Sequence, residues 1–170
     1  MNKKGQIWVE TVIYTLVALA IIGLVLTFVK PEINKVRDKA IIEQSLGVVK
    51  DIDAIILEIT QGGAGNKRGI KIGIKKGILK IDGENDKISF EIDSEYTYSE
   101  PGQNVLYGDT IVRTEKTGKN NKIIITNNYA GIYDLTYKGE NQTEPLNKAS
   151  TPYQMFITNK GGSVIDLEIS

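Results

Sequence analysis

Lys3-Lys4-Gly5-Gln6 and Glu10 are the residues whose types and spacing point most directly to chemistry. The chemistry is peptide-bond cleavage followed by charge pairing. A peptidase needs an extended, unhindered backbone at its cut, and Gly5 offers no side chain. Cutting between Gly5 and Gln6 would turn the Gln6 amide nitrogen into a charged amine, four residues before the carboxylate of Glu10. In a secretory signal peptide the apolar core precedes the cut and is discarded. Here the residues before the apolar run are few and polar, so the mature chain would keep its hydrophobic segment. An acid at the edge of an apolar span is costly unless paired or hydrated, and the new amine would be a partner. A helix N-terminus also favours a carboxylate by roughly 0.3–1 kcal/mol when exposed.

The other candidate chemistry is sparse. Asn141-Gln142-Thr143 is an N-glycosylation sequon in a stretch that reads as a loop. Asp82, Glu84 and Asp86 have the acidic look of a calcium loop, but Lys87 stands where an EF-hand needs glycine, so a solvated hairpin turn is expected. Gly62-Gly63-Ala64-Gly65-Asn66-Lys67 resembles a phosphate loop in composition only, since no Gly-Lys-Ser/Thr follows and no strand precedes it. Thr11 and Thr15 share a helix face beside Tyr14. They are expected to bond their own backbone carbonyls, with contacts between helices as the less favoured reading. The 170 residues contain no Cys and no His, which removes disulfides, thiolate nucleophiles, His-based acid–base pairs and the common zinc and haem ligand sets. No catalytic triad or paired-carboxylate constellation is identifiable. The expectation is a protein that is not an enzyme, with no cofactor and no metal. Lys plus Arg and Asp plus Glu both number 21, so no global charge bias points to nucleic acid.

The elements that must position these residues fall into three zones: a leader 1–5, a helical spine 6–59, and a β-rich head 60–170. Within the spine, Thr11–Val29 is a 19-residue run without charge. As a helix it would be about 28 Å long, close to the roughly 30 Å of a hydrocarbon core. Pro31 is expected to kink or break the helix. Beyond it Ile33, Val36, Ala40, Ile42, Leu46, Val49, Ile52, Ile56 and Ile59 form an expected apolar stripe lying along the head. Strands are expected over 70–74, 78–81, 87–92, 96–98, 110–114, 122–126, 132–137, 153–158 and 164–169, with a hairpin at Asp82–Asp86. The expected fold class is α+β: a long N-terminal hydrophobic and amphipathic helix followed by an antiparallel, sandwich-like head.

Lys4-Gly5-Gln6, then Glu10, then an uninterrupted apolar helix resembles an archaeal type IV pilin with a class III signal peptide. The resemblance covers about the first 30 residues; the spine and head extend it in architecture only. It implies cleavage between Gly5 and Gln6 by a membrane prepilin peptidase. Glu10 would then be the fifth residue of the mature chain and take the family's acid position. It further implies a helical homo-polymer raised by pilus assembly machinery, a membrane stage before assembly, a surface filament afterwards, adhesion as the task, and glycosylation at Asn141. Trp8 departs from the small residue that many relatives carry there, and the proline falls later than in bacterial pilins. Archaellins usually lack the acid, so Glu10 favours a pilus. The alternatives are a minor or tip pilin, or an unprocessed single-pass protein with an extracellular binding domain. The single-pass reading draws on basic residues at both ends of the span: Lys3 and Lys4 before it, and Lys30, Lys35, Arg37 and Lys39 after it.

Overall fold

A single helix, α1 (Lys3–Gln61), carries the first third of the chain. Its 59 residues make it about 88 Å long. The computed structural model describes residues 3–170, with side chains from residue 7 onward. The expected leader start and the side chains at the Gly5–Gln6 boundary fall outside the described residues.

α1 runs unbroken through Pro31, so the expected break does not occur. The proline removes one backbone donor, and the turns on either side hold the helix together. The helix also runs past the expected end at Ile59. It stops at Gln61 because Gly62 and Gly63 follow. Gly63 takes a left-handed φ of 83°, and the Asn66 side-chain amide donates to the carbonyls of Gly62 (2.5 Å) and Gly63 (3.0 Å).

Ten strands follow: β1 (Lys67–Ile72), β2 (Ile78–Asp82), β3 (Lys87–Ser94), β4 (Asn104–Tyr107), β5 (Thr110–Thr117), β6 (Asn120–Asn128), β7 (Asp134–Tyr137), β8 (Thr143–Asn147), β9 (Tyr153–Gly161) and β10 (Val164–Ile169). They form a four-stranded sheet in the order β1-β9-β10-β7 and a six-stranded sheet in the order β4-β5-β6-β3-β2-β8. Neighbours are antiparallel except β7 and β10, which run parallel. The head is therefore α+β with a sandwich-like pair of sheets, as expected.

Several expected strands need correction. Residues 96–98 are not a strand: the Ser94 hydroxyl accepts the Tyr96 N–H and donates to its carbonyl, which bends the chain there. The expected 132–137 strand begins only at Asp134, after a turn that leaves Ile132 exposed. Ile74 lies beyond the end of β1 yet is buried. β4 and β8 were not expected, and both are edge strands.

The C-terminal half of α1 packs on β3 and β6 of one sheet and on β1 and β9 of the other. Ile42, Leu46, Val49, Ile52, Ile56 and Ile59 join Leu79, Ile88, Phe90, Ile123, Ile157 and Ile165 in one continuous core. Each fully buried isoleucine contributes roughly 1.5–3 kcal/mol of transfer free energy. The stripe is shorter than expected. Ile33 and Val36 are 50% and 70% exposed, and Ala40 is exposed too. The step of two residues from Ala40 to Ile42 turns the helix by about 200°, so the two sets lie on opposite faces.

Candidate assembly site

From Ile7 to Val29 the side chains of α1 are exposed without interruption. The most apolar 18-residue window of this segment has a mean hydropathy of 2.7, and none of it is covered by the rest of the molecule. By length and composition α1 is able to cross a bilayer. Residues so apolar on every side require lipid or other helices around them.

Glu10 is the one acid within this apolar stretch. Its carboxylate accepts a hydrogen bond from the Tyr14 hydroxyl at 3.1 Å, one turn further along the helix. Tyr14 therefore satisfies part of Glu10 inside the same chain, a role that the sequence reading did not assign to it. Four-residue spacing on a helix was the signal available. Thr11 and Thr15 donate to the carbonyls of Ile7 and Thr11, each at 2.9 Å, so they bond their own backbone as expected. Thr27 does the same to Gly23. Trp8 is 75% exposed and forms, with Ile7, Thr11, Val12, Thr15 and Leu16, a shallow apolar groove beside Glu10.

Where α1 meets the head, Asp38 is buried. One of its oxygens accepts from Lys76 Nζ at 2.5 Å and the other from the Glu95 N–H at 2.7 Å. Further up, the Tyr129 hydroxyl donates to Asp53 at 3.0 Å, and burial raises its pKa well above the ordinary phenol value. These bonds fasten the helix to the six-stranded sheet at two heights.

Asn141 is exposed, as a sequon requires, and lies with Gln142 in the connection between β7 and β8, as expected of a loop. The Thr143 hydroxyl opens β8 and donates to Asp82 at 3.2 Å. The Gln142 carbonyl accepts from the Gly83 N–H at 3.2 Å. Asp82 itself serves the β2–β3 hairpin. It accepts from Asn85 at 3.0–3.1 Å and pairs with Lys87 at 3.3 Å. Burial would raise its pKa, but these donors outweigh burial and lower it. Glu91 lies between Lys80 (2.5 Å) and Lys122 (3.3 Å), and the Lys80 hydrogen bond in particular lowers its pKa. Among the described residues, no three His, Cys, Asp or Glu side chains are placed to hold a metal ion together. Glu10 and Asn141 lie on separate elements, one on the bare helix and one on the head. No known family model matches the chain, and comparison with curated proteins and with solved structures finds no match.

Proposed function

We propose that this chain is the structural subunit of an extracellular filament of the type IV pilus class, resembling archaeal pilins. The observation that supports it best is the combination on one helix of an all-round apolar, uncovered half carrying Glu10 and a half built into the head's core. A membrane prepilin peptidase cuts between Gly5 and Gln6. The Gln6 amine then lies one turn from Glu10 on the same face and pairs with it, in its own chain or in a neighbour. Before assembly the apolar half sits in the membrane with the head outside. Pilus machinery then transfers the helix from lipid into a bundle of identical helices. Little hydrophobic drive separates these two environments, so helix packing and the Glu10 pair favour assembly. Adhesion is the proposed task, and Asn141 is the proposed glycan attachment point. No step in this scheme asks the chain for catalysis, a cofactor or a metal.

Mass spectrometry of the native protein tests the proposal, together with electron microscopy of the cell surface. Gln6 as the first residue, with filaments containing the chain, is the expected result. A chain that keeps Met1 or Asn2 and sits singly in the membrane would establish the single-pass alternative. That alternative draws on the basic residues at both ends of the span, which do not by themselves fix its orientation.

A further inference from the structure

The chain has as many bases as acids, yet the fold sorts them along α1. The strand registers bring four connections to the end of the head nearest the bare helix. Ile72 pairs with Tyr153, Ile78 with Asn147 and Ser94 with Asn121, which places the connections 73–77, 95–103, 118–119 and 148–152 there. Asp38 ties this end to α1 by accepting from Lys76 and from the Glu95 N–H. The Ala149 N–H donates to the Ile74 carbonyl at 3.4 Å, which holds two of the connections side by side.

Bases dominate this end. The connections carry Lys75, Lys76, Lys119 and Lys148 against Glu95 and Glu100. The adjoining stretch of α1 carries Lys30, Lys35, Arg37 and Lys39 against Glu32 and Asp38. Both of those helix acids are already engaged, Glu32 by Lys35 at 2.7 Å and Asp38 by Lys76. Among the described residues Lys30, Arg37, Lys75, Lys119 and Lys148 are exposed and form no ion pair. The far end is the reverse. There residues 51–61 of α1 carry Asp51, Asp53 and Glu58, and the turns 83–86 and 108–109 carry Glu84, Asp86 and Asp109, with no base in any of these segments. The other far-end turns, 62–66, 129–133 and 162–163, are uncharged.

We infer that the basic end of the head docks on the phosphate headgroups of an anionic lipid leaflet, and that the acidic far end keeps the head upright on it. The inference rests on the membrane stage, which the pilin and the single-pass readings share. Its geometry follows from the span. With Thr11–Val29 in the hydrocarbon core, Lys30 enters the headgroup layer, which adds roughly 5–7 Å on each side. Asp38, and Lys76 with it, lies about 14 Å above Val29 along an upright helix. The basic collar therefore ends about one Debye length, roughly 8 Å, beyond the headgroups, and long lysine side chains close part of that gap. The attraction of Lys and Arg to anionic headgroups acts over this same distance. The end of α1 at Gln61 lies about 35 Å beyond Asp38, so the leaflet repels the acids there only when the head tips over. The collar surrounds the point where α1 leaves the head, so lipid meets it before the acidic end of another copy does.

The full chain reconstituted in vesicles tests this, with a headgroup spin label as quencher and a dye on one introduced cysteine, since the native sequence has none. Thr117→Cys places the dye at the basic end and Ala130→Cys at the far end; both positions are exposed and uncharged. Replacing about 30% of phosphatidylcholine by phosphatidylglycerol should at least double the quenching at 117 and leave 130 unquenched. Salt at about 0.5 M should return 117 to its level in neutral vesicles. Lys75→Glu with Lys119→Glu should abolish the response to phosphatidylglycerol without changing the far-ultraviolet melting curve. Quenching at 117 that ignores phosphatidylglycerol, or quenching at 130 as strong as at 117, would overturn the docking and leave the anchor standing. A disulfide between copies of the chain carrying both cysteines, formed equally in neutral vesicles, would assign the collar to a neighbouring head and overturn the lipid contact. A chain that alkaline carbonate strips from the vesicles would overturn the membrane stage itself.

Discussion

Glu10 shows how one side chain can serve two environments. In the single chain Tyr14 donates to it, which lowers the cost of holding a carboxylate in an apolar segment. In the proposed filament the amine freed at Gln6 adds a full opposite charge. Glu10→Gln keeps the size of the side chain and removes the charge. It should reduce filament yield at least tenfold while cutting after Gly5 continues, as read by microscopy and by the mass of the mature chain. Unchanged yield would remove Glu10 from assembly. In the head, Asp82 and Glu91 both titrate below their ordinary values because their donors favour the charged form. A carboxylate of this kind adds stability above the ordinary carboxylate range near pH 4, and that stability is lost as pH falls through the lowered folded-state value. The melting temperature of the head should therefore drop between about pH 5 and pH 2, and Glu91→Gln should flatten that dependence. An equally steep acid profile in the variant would assign the effect to other groups.

At the scale of elements, the two halves of α1 obey different rules. The upper half is held by side chains at helical spacing, so deleting one is costly. Ile52 is fully buried between the helix and the sheets. Ile52→Ala should destabilise the head by about 2–5 kcal/mol in denaturant titrations, a cavity-scale loss. Among the strands, legibility followed length and periodicity. β3, β5, β6 and β9 are eight or nine residues long, and five or six residues of each were readable from the chain alone. β4 is four residues long, too short to show a period, and exists because β5 offers it an edge. β8 contains Pro145, which argues against a strand everywhere except at a sheet edge, and an edge is where it lies. Tyr96 and Tyr98 alternate as a strand would, but a serine hydroxyl captures the backbone first.

For the whole molecule, the boundary between parts lies inside the helix and not at its end. The side chains of 7–29 are all exposed, whereas coverage begins at Asn34, which donates to Glu95 of the head, and full burial at Asp38 and Ile42. A chain starting at Lys30 should fold with a melting temperature within a few degrees of the full protein. One starting at Gly62 loses six buried helix residues from the core and should fail to melt cooperatively. Circular dichroism separates the two, and a cooperative transition without α1 would show that the sheets suffice alone. The sequence by itself determined the long apolar helix, its acid at Glu10, the glycine stop and most strands, because these follow from local composition and period. The tertiary structure alone decided that Asp38 is buried, that Ile33, Val36 and Ala40 face away from the head, and that β7 joins β10 in parallel. Those outcomes depend on which surfaces the folded sheets present to the helix. The apolar period told that the helix has two faces; only the sheets decided which of them the head covers.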